Sequence, residues 1–152
     1  ANAEEPPFAD QSFRLIYGKA IIHHLDTDLS AHQIQRLLKP QGKASFAEPL
    51  SKHPLILFGR LLTPSLRTQD ETPLTLSTFG YFGSLFPQSA LKTYFFFAPL
   101  AYLLRFLPGG ERPFRWVHKH LQRFDQWLFE RFPRLRPWAW YALVNLQVDG
   151  KA

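Results

Sequence analysis

The sequence predicts an α/β protein built on an open sheet, and three observations carry that prediction. Phe13–Gly18 is an apolar run with an aromatic, of the kind that parallel sheets bury on both faces. A helix signal opens at Ser30 and closes at Pro40 and Gly42. Lys43–Glu48 then reads as a second strand. A strand, a crossover helix and a strand in that order imply a parallel pair joined by a right-handed connection.

Each element has its own local logic. Phe8–Ser12 reads as a turn leading into the first strand. In the helix, Ser30 and Gln33 form an S-x-x-Q capping box, Leu29 and Ile34 stand at the staple positions, and Ile34, Leu37 and Leu38 make the apolar stripe. Lys39 suits the last turn, Pro40 breaks the helix and Gly42 suits a left-handed cap. From Pro49 to Pro87 the pattern is irregular and reads as loop, with a short helix around Ser77–Phe86. Leu91–Phe97 is expected as a third strand. Pro113–Phe132 is the clearest amphipathic helix, with Val117, Leu121, Phe124, Leu128 and Phe132 recurring at three- and four-residue steps. Pro133 and Pro137 bracket a turn before a final apolar strand, Trp138–Gln147. The aromatics Tyr94–Phe97, Trp116, Trp127, Trp138 and Trp140 fall at strand or helix spacing, so the core is their expected place.

Composition narrows the function classes. At 152 residues, 45% hydrophobic and 20% charged, the chain suits one globular domain and not a disordered segment. The absence of cysteine excludes a disulfide scaffold, a thiolate metal site and a cysteine nucleophile together. The longest apolar run, Tyr94–Leu104, is too short to span a bilayer, which takes about 20 residues, and is expected as a buried strand and helix start. Charge is uneven: residues 105–136 carry eight Lys and Arg against three acidic residues, whereas residues 1–104 carry nine against eight. That basic segment reads first as a solvated helix face and second as a surface for an anionic partner. Methionine is absent even at position 1, which suggests a chain processed or cut from a longer one.

Three stretches carry a family resemblance: PFADQSFRLIYGKAIIHHLDTD from Pro7, LSAHQIQRLLKPQGKASFAEPL from Leu29, and RLLTPSLRTQDETPL from Arg60. Together they resemble the class I S-adenosylmethionine-dependent methyltransferases, in particular a bacterial small-molecule branch with "LHH" after the fourth strand and "EP…RT-DE-PL" after the fifth. The resemblance implies a partial Rossmann-like fold, strands 4-5-7-6 with helices, whose N-terminal cofactor-binding strands are missing. Residues 1–152 then form one partial domain, with 1–74 holding strand 4, a helix, strand 5 and a loop, and 75–152 the remaining strands and the amphipathic helix. It also implies S-adenosylmethionine as cofactor, a small-molecule methyl acceptor, the missing half-domain as partner and a cytoplasmic location. The first strand would be left with a bare apolar edge, an aggregation hazard.

Ligands of doubly wound sheets sit beyond the carboxyl ends of the strands, so the candidate residues cluster there. Asn2 and Ala3 fall where the family's "GDAEELPF" motif contacts adenine, with Asn2 in place of the usual Asp. Gly18 and Lys19 occupy the strand end that lines the cofactor pocket in the family. His23 and His24 are candidates for a base or a substrate orienter, because imidazole titrates near neutrality. Glu48 ends the second strand, where it faces the same crevice and is placed to hold the imidazole, a polar substrate or an arginine. Arg67, Asp70 and Glu71 match the family's "RTPDEHPL" run and suit either a loop-fixing network or a cover over the substrate, with Arg67 reading an acidic group. Adjacent ligands rarely converge on one ion, so His23, His24, Asp26 and Asp28 are not assigned a metal. Two other function classes compete: a non-catalytic subunit dependent on a partner, and a basic module binding membrane surfaces or nucleic acid, the latter disfavoured because the aromatics read as core.

Overall fold

The computed structural model describes residues 4–62 and 74–150. Four strands, β1 (Phe13–Lys19), β2 (Leu38–Pro49), β3 (Gln88–Tyr94) and β4 (Tyr141–Gln147), form one sheet in the order β1-β2-β4-β3. β1 and β2 are parallel, with Ile16 opposite Ala44 and Lys19 opposite Ala47. β4 is antiparallel to β2 on one side and to β3 on the other. The carboxyl ends of β1, β2 and β3 therefore meet at one end of the sheet.

Strand alternation sends Ala44, Phe46 and Glu48 of β2, and Ala142, Val144 and Leu146 of β4, to one buried face. Ile34 of α1 (Thr27–Leu37) and Phe79 and Phe82 of α3 (Leu76–Leu85) complete the core there. On the opposite face Leu15 is 60% exposed and Tyr17 82% exposed, so among the described residues the apolar strand β1 stands bare at the sheet edge. An apolar groove runs beside it, lined by Phe8, Phe13, Leu15, Ile21 and Leu37 among others.

Several element boundaries differ from the sequence expectation. α1 starts a turn before Ser30, because the Asp26 carboxylate accepts the N–H groups of Asp28 and Leu29, each at 2.9 Å. Asp caps as well as Ser does, and the earlier start adds helical hydrogen bonds. Ser30 is instead buried within the helix, and Leu29, assigned to a staple, is half exposed. Pro40 and Gly42 lie inside β2, where the pairing with β1 shifts register between Phe13 and Leu15, and Gln41 takes the left-handed backbone expected of Gly42. A further helix, α2 (Pro54–Leu62), occupies part of the stretch expected as loop.

β3 and β4 are paired neighbours, yet the chain between them makes a long excursion over residues 95–140. It holds a 3-10 helix (Ala98–Phe106), α4 (Glu111–Arg131) and a second 3-10 helix (Pro133–Trp138). Asp125 pins it. This fully buried carboxylate accepts the N–H groups of Phe96, Phe97 and Ala98 at 2.8–3.1 Å. β3 ends at Tyr94, before the expected Phe97, because these amides turn towards Asp125 and leave the ladder. β4 begins at Tyr141, after the expected Trp138, because the Pro133–Trp138 helix runs up to it. The Tyr94–Leu104 run is not a buried strand and helix start either: Leu100, Tyr102 and Leu103 are 43–64% exposed.

The face that α4 buries is also rotated from the expected stripe, onto Asp125 and Phe129, leaving Phe124 44% and Phe132 46% exposed. Trp116, Trp127 and Trp138 are surface residues at 46–65% exposure, not core.

Two predictions follow from this architecture. Asp125→Ala leaves three amides without their acceptor and should destabilise the chain by about 3 kcal/mol in a urea titration; a loss under about 1 kcal/mol would show that water replaces the carboxylate. At the bare edge, Leu15→Glu with Tyr17→Lys should reduce self-association in light scattering, since charge blunts strand-edge pairing. An unchanged mass distribution would remove β1 as the sticky edge.

Candidate functional site

Glu48 closes β2 and is fully buried. A buried carboxylate needs its lone pairs filled, and the loop after β1 fills them. Oε1 accepts the N–H groups of Ile21 at 2.9 Å and Ile22 at 3.1 Å, and Oε2 lies 2.9 Å from His23 Nδ1. In the neutral ring Nδ1–H donates to Glu48 and Nε2 carries the lone pair. The His23 side chain is only 16% exposed. His24 packs on it, ring centroids 4.0 Å apart. The structure thus brings together His23, His24 and Glu48, and both carboxylate oxygens go to the 21–23 loop.

Gly18 sits where β1 gives way to that loop. A Cβ there would fall 2.7 Å from Ile21 Cγ2 and 2.8 Å from the Phe46 ring, so its missing side chain is required by the protein's own packing. Lys19 lies beyond it, largely exposed, and Ala20 adopts a left-handed backbone with its N–H bonded to the Ala47 carbonyl. Asn2, Ala3, Arg67, Asp70 and Glu71 lie outside the described residues.

A crevice of about 650 Å³ opens at the carboxyl ends of the strands. Its lining includes Lys19 from β1, Tyr94 from β3, Tyr141 from β4, Trp140, and Tyr102 and His118 from the excursion. Its size and its aromatic walls with a few polar groups match a small-molecule site. Phe95, on the same wall, is held at a positive φ of 66°, a conformation that costs a non-glycine residue about 1 kcal/mol or more. The Trp140 N–H donates to its carbonyl at 2.7 Å. His23 and His24 do not line the crevice. Among the described residues, no group of three or more His, Asp or Glu is placed to hold a metal, and no helix is long and apolar enough to cross a membrane.

Sequence reasoning passed over His53, His118 and Asp125. His53 is buried against Trp140, with ring centroids 5.2 Å apart. Its Nε2–H donates to the Phe96 carbonyl at 3.1 Å, and its Nδ1 accepts the Leu55 N–H at 3.2 Å, at the start of α2. The His-Pro step at a helix start was the available signal. For Asp125 the signal was a lone carboxylate three residues before Leu128 and four after Leu121, inside an apolar stripe.

The strand order, with β4 antiparallel between two parallel-running strands, and the crevice at the strand ends define the fold of the class I S-adenosylmethionine-dependent methyltransferases. Residues 1–46 match the methyltransferase-domain family. A SAM-dependent methyltransferase from Thermotoga maritima superposes with a TM-score of 0.60 at 11% identity, covering 97% of this chain and 61% of that one. One from Archaeoglobus fulgidus gives 0.60 at 13% identity, covering 97% and 65%. Phosphoethanolamine N-methyltransferase 2 of Haemonchus contortus, solved with phosphomonomethylethanolamine and S-adenosylhomocysteine, gives 0.56 at 17% identity, covering 99% and 36%. The chain therefore spans less than two thirds of each of these structures. No curated protein matches it in sequence.

Burial pushes the His53 imidazole below its usual value, outweighing the Phe96 carbonyl and the Asp125 charge, which act the other way. The folded chain thus favours neutral His53. Its contribution to stability is complete above the unfolded value, about 6.5, and is lost as pH falls through the lower folded value. Melting temperature should drop as pH falls below about 6.5, and the drop should be smaller in His53→Gln. Equal pH slopes in the two proteins would show that His53 titrates freely.

Proposed function

We propose that this chain is the acceptor-side part of an S-adenosylmethionine-dependent methyltransferase that modifies a small molecule with an aromatic or apolar body, acting in the cytoplasm. The observation that carries the reading is the aromatic crevice at the strand ends of a sheet with the methyltransferase order. Neighbours in fold support a small-molecule acceptor: one was solved with phosphomonomethylethanolamine, and another is a geranyl diphosphate C-methyltransferase from Streptomyces coelicolor, whose substrate has an apolar body. The strands that hold the cofactor come from a further part of the same domain, added against the bare edge of β1.

S-adenosylmethionine supplies an electrophilic methyl group on a sulfonium. The chain's own residues orient the acceptor, which is the main demand of an in-line transfer. Asn2 and Ala3 would hold the adenine, and the Gly18–Lys19 end of β1, which opens onto the crevice, would line the cofactor's approach. Tyr94, Tyr102, Trp140 and Tyr141 shape the acceptor pocket, and His118 brings an imidazole to its wall, placed to take a proton from an acceptor that carries one. Arg67, with Asp70 and Glu71, would serve to read an acidic group of the acceptor. His23 and Glu48 are positioning residues in this scheme: with both oxygens committed to the 21–23 loop, Glu48 fixes the turn that presents Lys19. His24 braces the His23 ring.

Two measurements test the reading. The chain by itself should show no micromolar binding of S-adenosylmethionine in calorimetry, whereas expression with the coding sequence preceding Ala1 should yield binding and transfer of labelled methyl to small acceptors. Micromolar binding by the isolated chain would sink the division of labour. In the active protein, His23→Ala should lower the melting temperature and weaken both ligands together. A fall in turnover of about 10²–10⁴-fold at unchanged melting temperature and cofactor affinity would instead make His23 the general base.

A further inference from the structure

The outward face of α4 stands apart from the methyl-transfer reading. At 100° per residue, Arg115, Lys119, Arg112 and Arg123 form one side of a continuous stripe, and Trp116, Trp127 and His120 form its neighbour. Most of the stripe is turned away from Asp125 and Phe129, which α4 buries, and Lys119, Arg123 and Trp127 border a groove beside Tyr94 and Phe95. Trp116 is 65% exposed and Trp127 53% exposed, and among the described residues none of the four cations is held in an ion pair. Of the three acidic residues on α4, Asp125 is buried and Glu111 is paired with Arg105 at 2.7 Å, leaving Glu130 alone on the outward side. At the amino end of α4 the 3-10 helix ends in Phe106, 84% exposed, followed by Leu107 at 58%. α4 packs on the β3 side of the sheet, so a partner added at β1 approaches the opposite edge.

We infer that this face docks the chain onto the surface of an anionic lipid bilayer. A helix lying in the interface needs cations to meet lipid phosphates and carboxylates, and tryptophan to sit at headgroup depth. The α4 stripe has both side by side, with aliphatic and phenyl side chains at one end that can enter the acyl boundary. Charge decides against the alternatives. A two-fold contact between copies would set this cationic stripe against itself. A nucleic-acid strand would use the cations and the indoles but would leave Phe106 and Leu107 in water. The cytoplasmic leaflet is the anionic one in cells, which brings a lipophilic acceptor and its crevice to the same surface.

The test is flotation of the full chain with vesicles of phosphatidylcholine alone and of phosphatidylcholine with about 30% phosphatidylserine, at low and high salt. Binding should be confined to the anionic vesicles and should weaken with salt. Arg115→Gln with Arg123→Gln should weaken it by about fivefold per charge removed. Trp116→Ala with Trp127→Ala should abolish the blue shift of tryptophan fluorescence on binding, with far-UV dichroism unchanged. Absence of binding to anionic vesicles overturns the proposal. So does equal binding by the parent and the arginine variant. Tighter binding to a single-stranded oligonucleotide than to vesicles, lost in the same variants, overturns it in favour of nucleic acid. A parent dimer that the tryptophan pair dissociates overturns it in favour of a second copy.

Discussion

Glu48 is the interaction on which the strand-end architecture depends. A carboxylate with no solvent contact must be neutralised or fully hydrogen-bonded, and here two backbone amides and an imidazole from a loop more than twenty residues earlier do that work. The consequence is geometric. The chain leaving β1 is folded back over the end of β2, Gly18 is pressed against Phe46 and Ile21, and Lys19 is left at the rim of the crevice. Removing the charge would release three donors at once, so the parallel pair and the site rim are secured by the same group.

Asp125 plays the corresponding part on the other half of the sheet. It collects the amides of Phe96, Phe97 and Ala98, while Gln126 donates to the Thr93 carbonyl and His53 to that of Phe96. A segment that could have been a tight hairpin between β3 and β4 becomes a long excursion anchored at its base. That excursion forms one wall of the crevice on its inner side and carries the cationic, tryptophan-bearing stripe of α4 on its outer side. Pocket and surface are two faces of one insertion.

The bare edge of β1 gives the two halves different status. Among the described residues β2 and β4 are paired on both sides and β1 and β3 on one, and of the two edges it is β1 that exposes Leu15 and Tyr17. Such an edge binds whatever strand is available, so the stability of this chain is coupled to what occupies that position.

The parallel strand–helix–strand unit was legible because its signals are local: apolar strands of the right length, a polar helix start and a proline after it. The strand order 4-5-7-6 followed from the resemblance of three short stretches and agrees with the sheet observed. The meeting of His23 with Glu48 was legible as one option among several, since strand-end positions can be located from sequence although partners cannot. What escaped was everything set by long-range competition. Asp26 displaced Ser30 as the helix cap, and the start of α2 at a His-Pro step went unread. Periodicity alone located α4 but could not say which side is buried, because an Asp fully satisfied by distant amides counts as core and a Trp at the same helical spacing need not. By itself the sequence determined the strand–helix–strand unit of its first fifty residues and the class of sheet that unit builds. Only the tertiary structure decided which polar groups go inside, because that depends on donors brought from far along the chain to meet them.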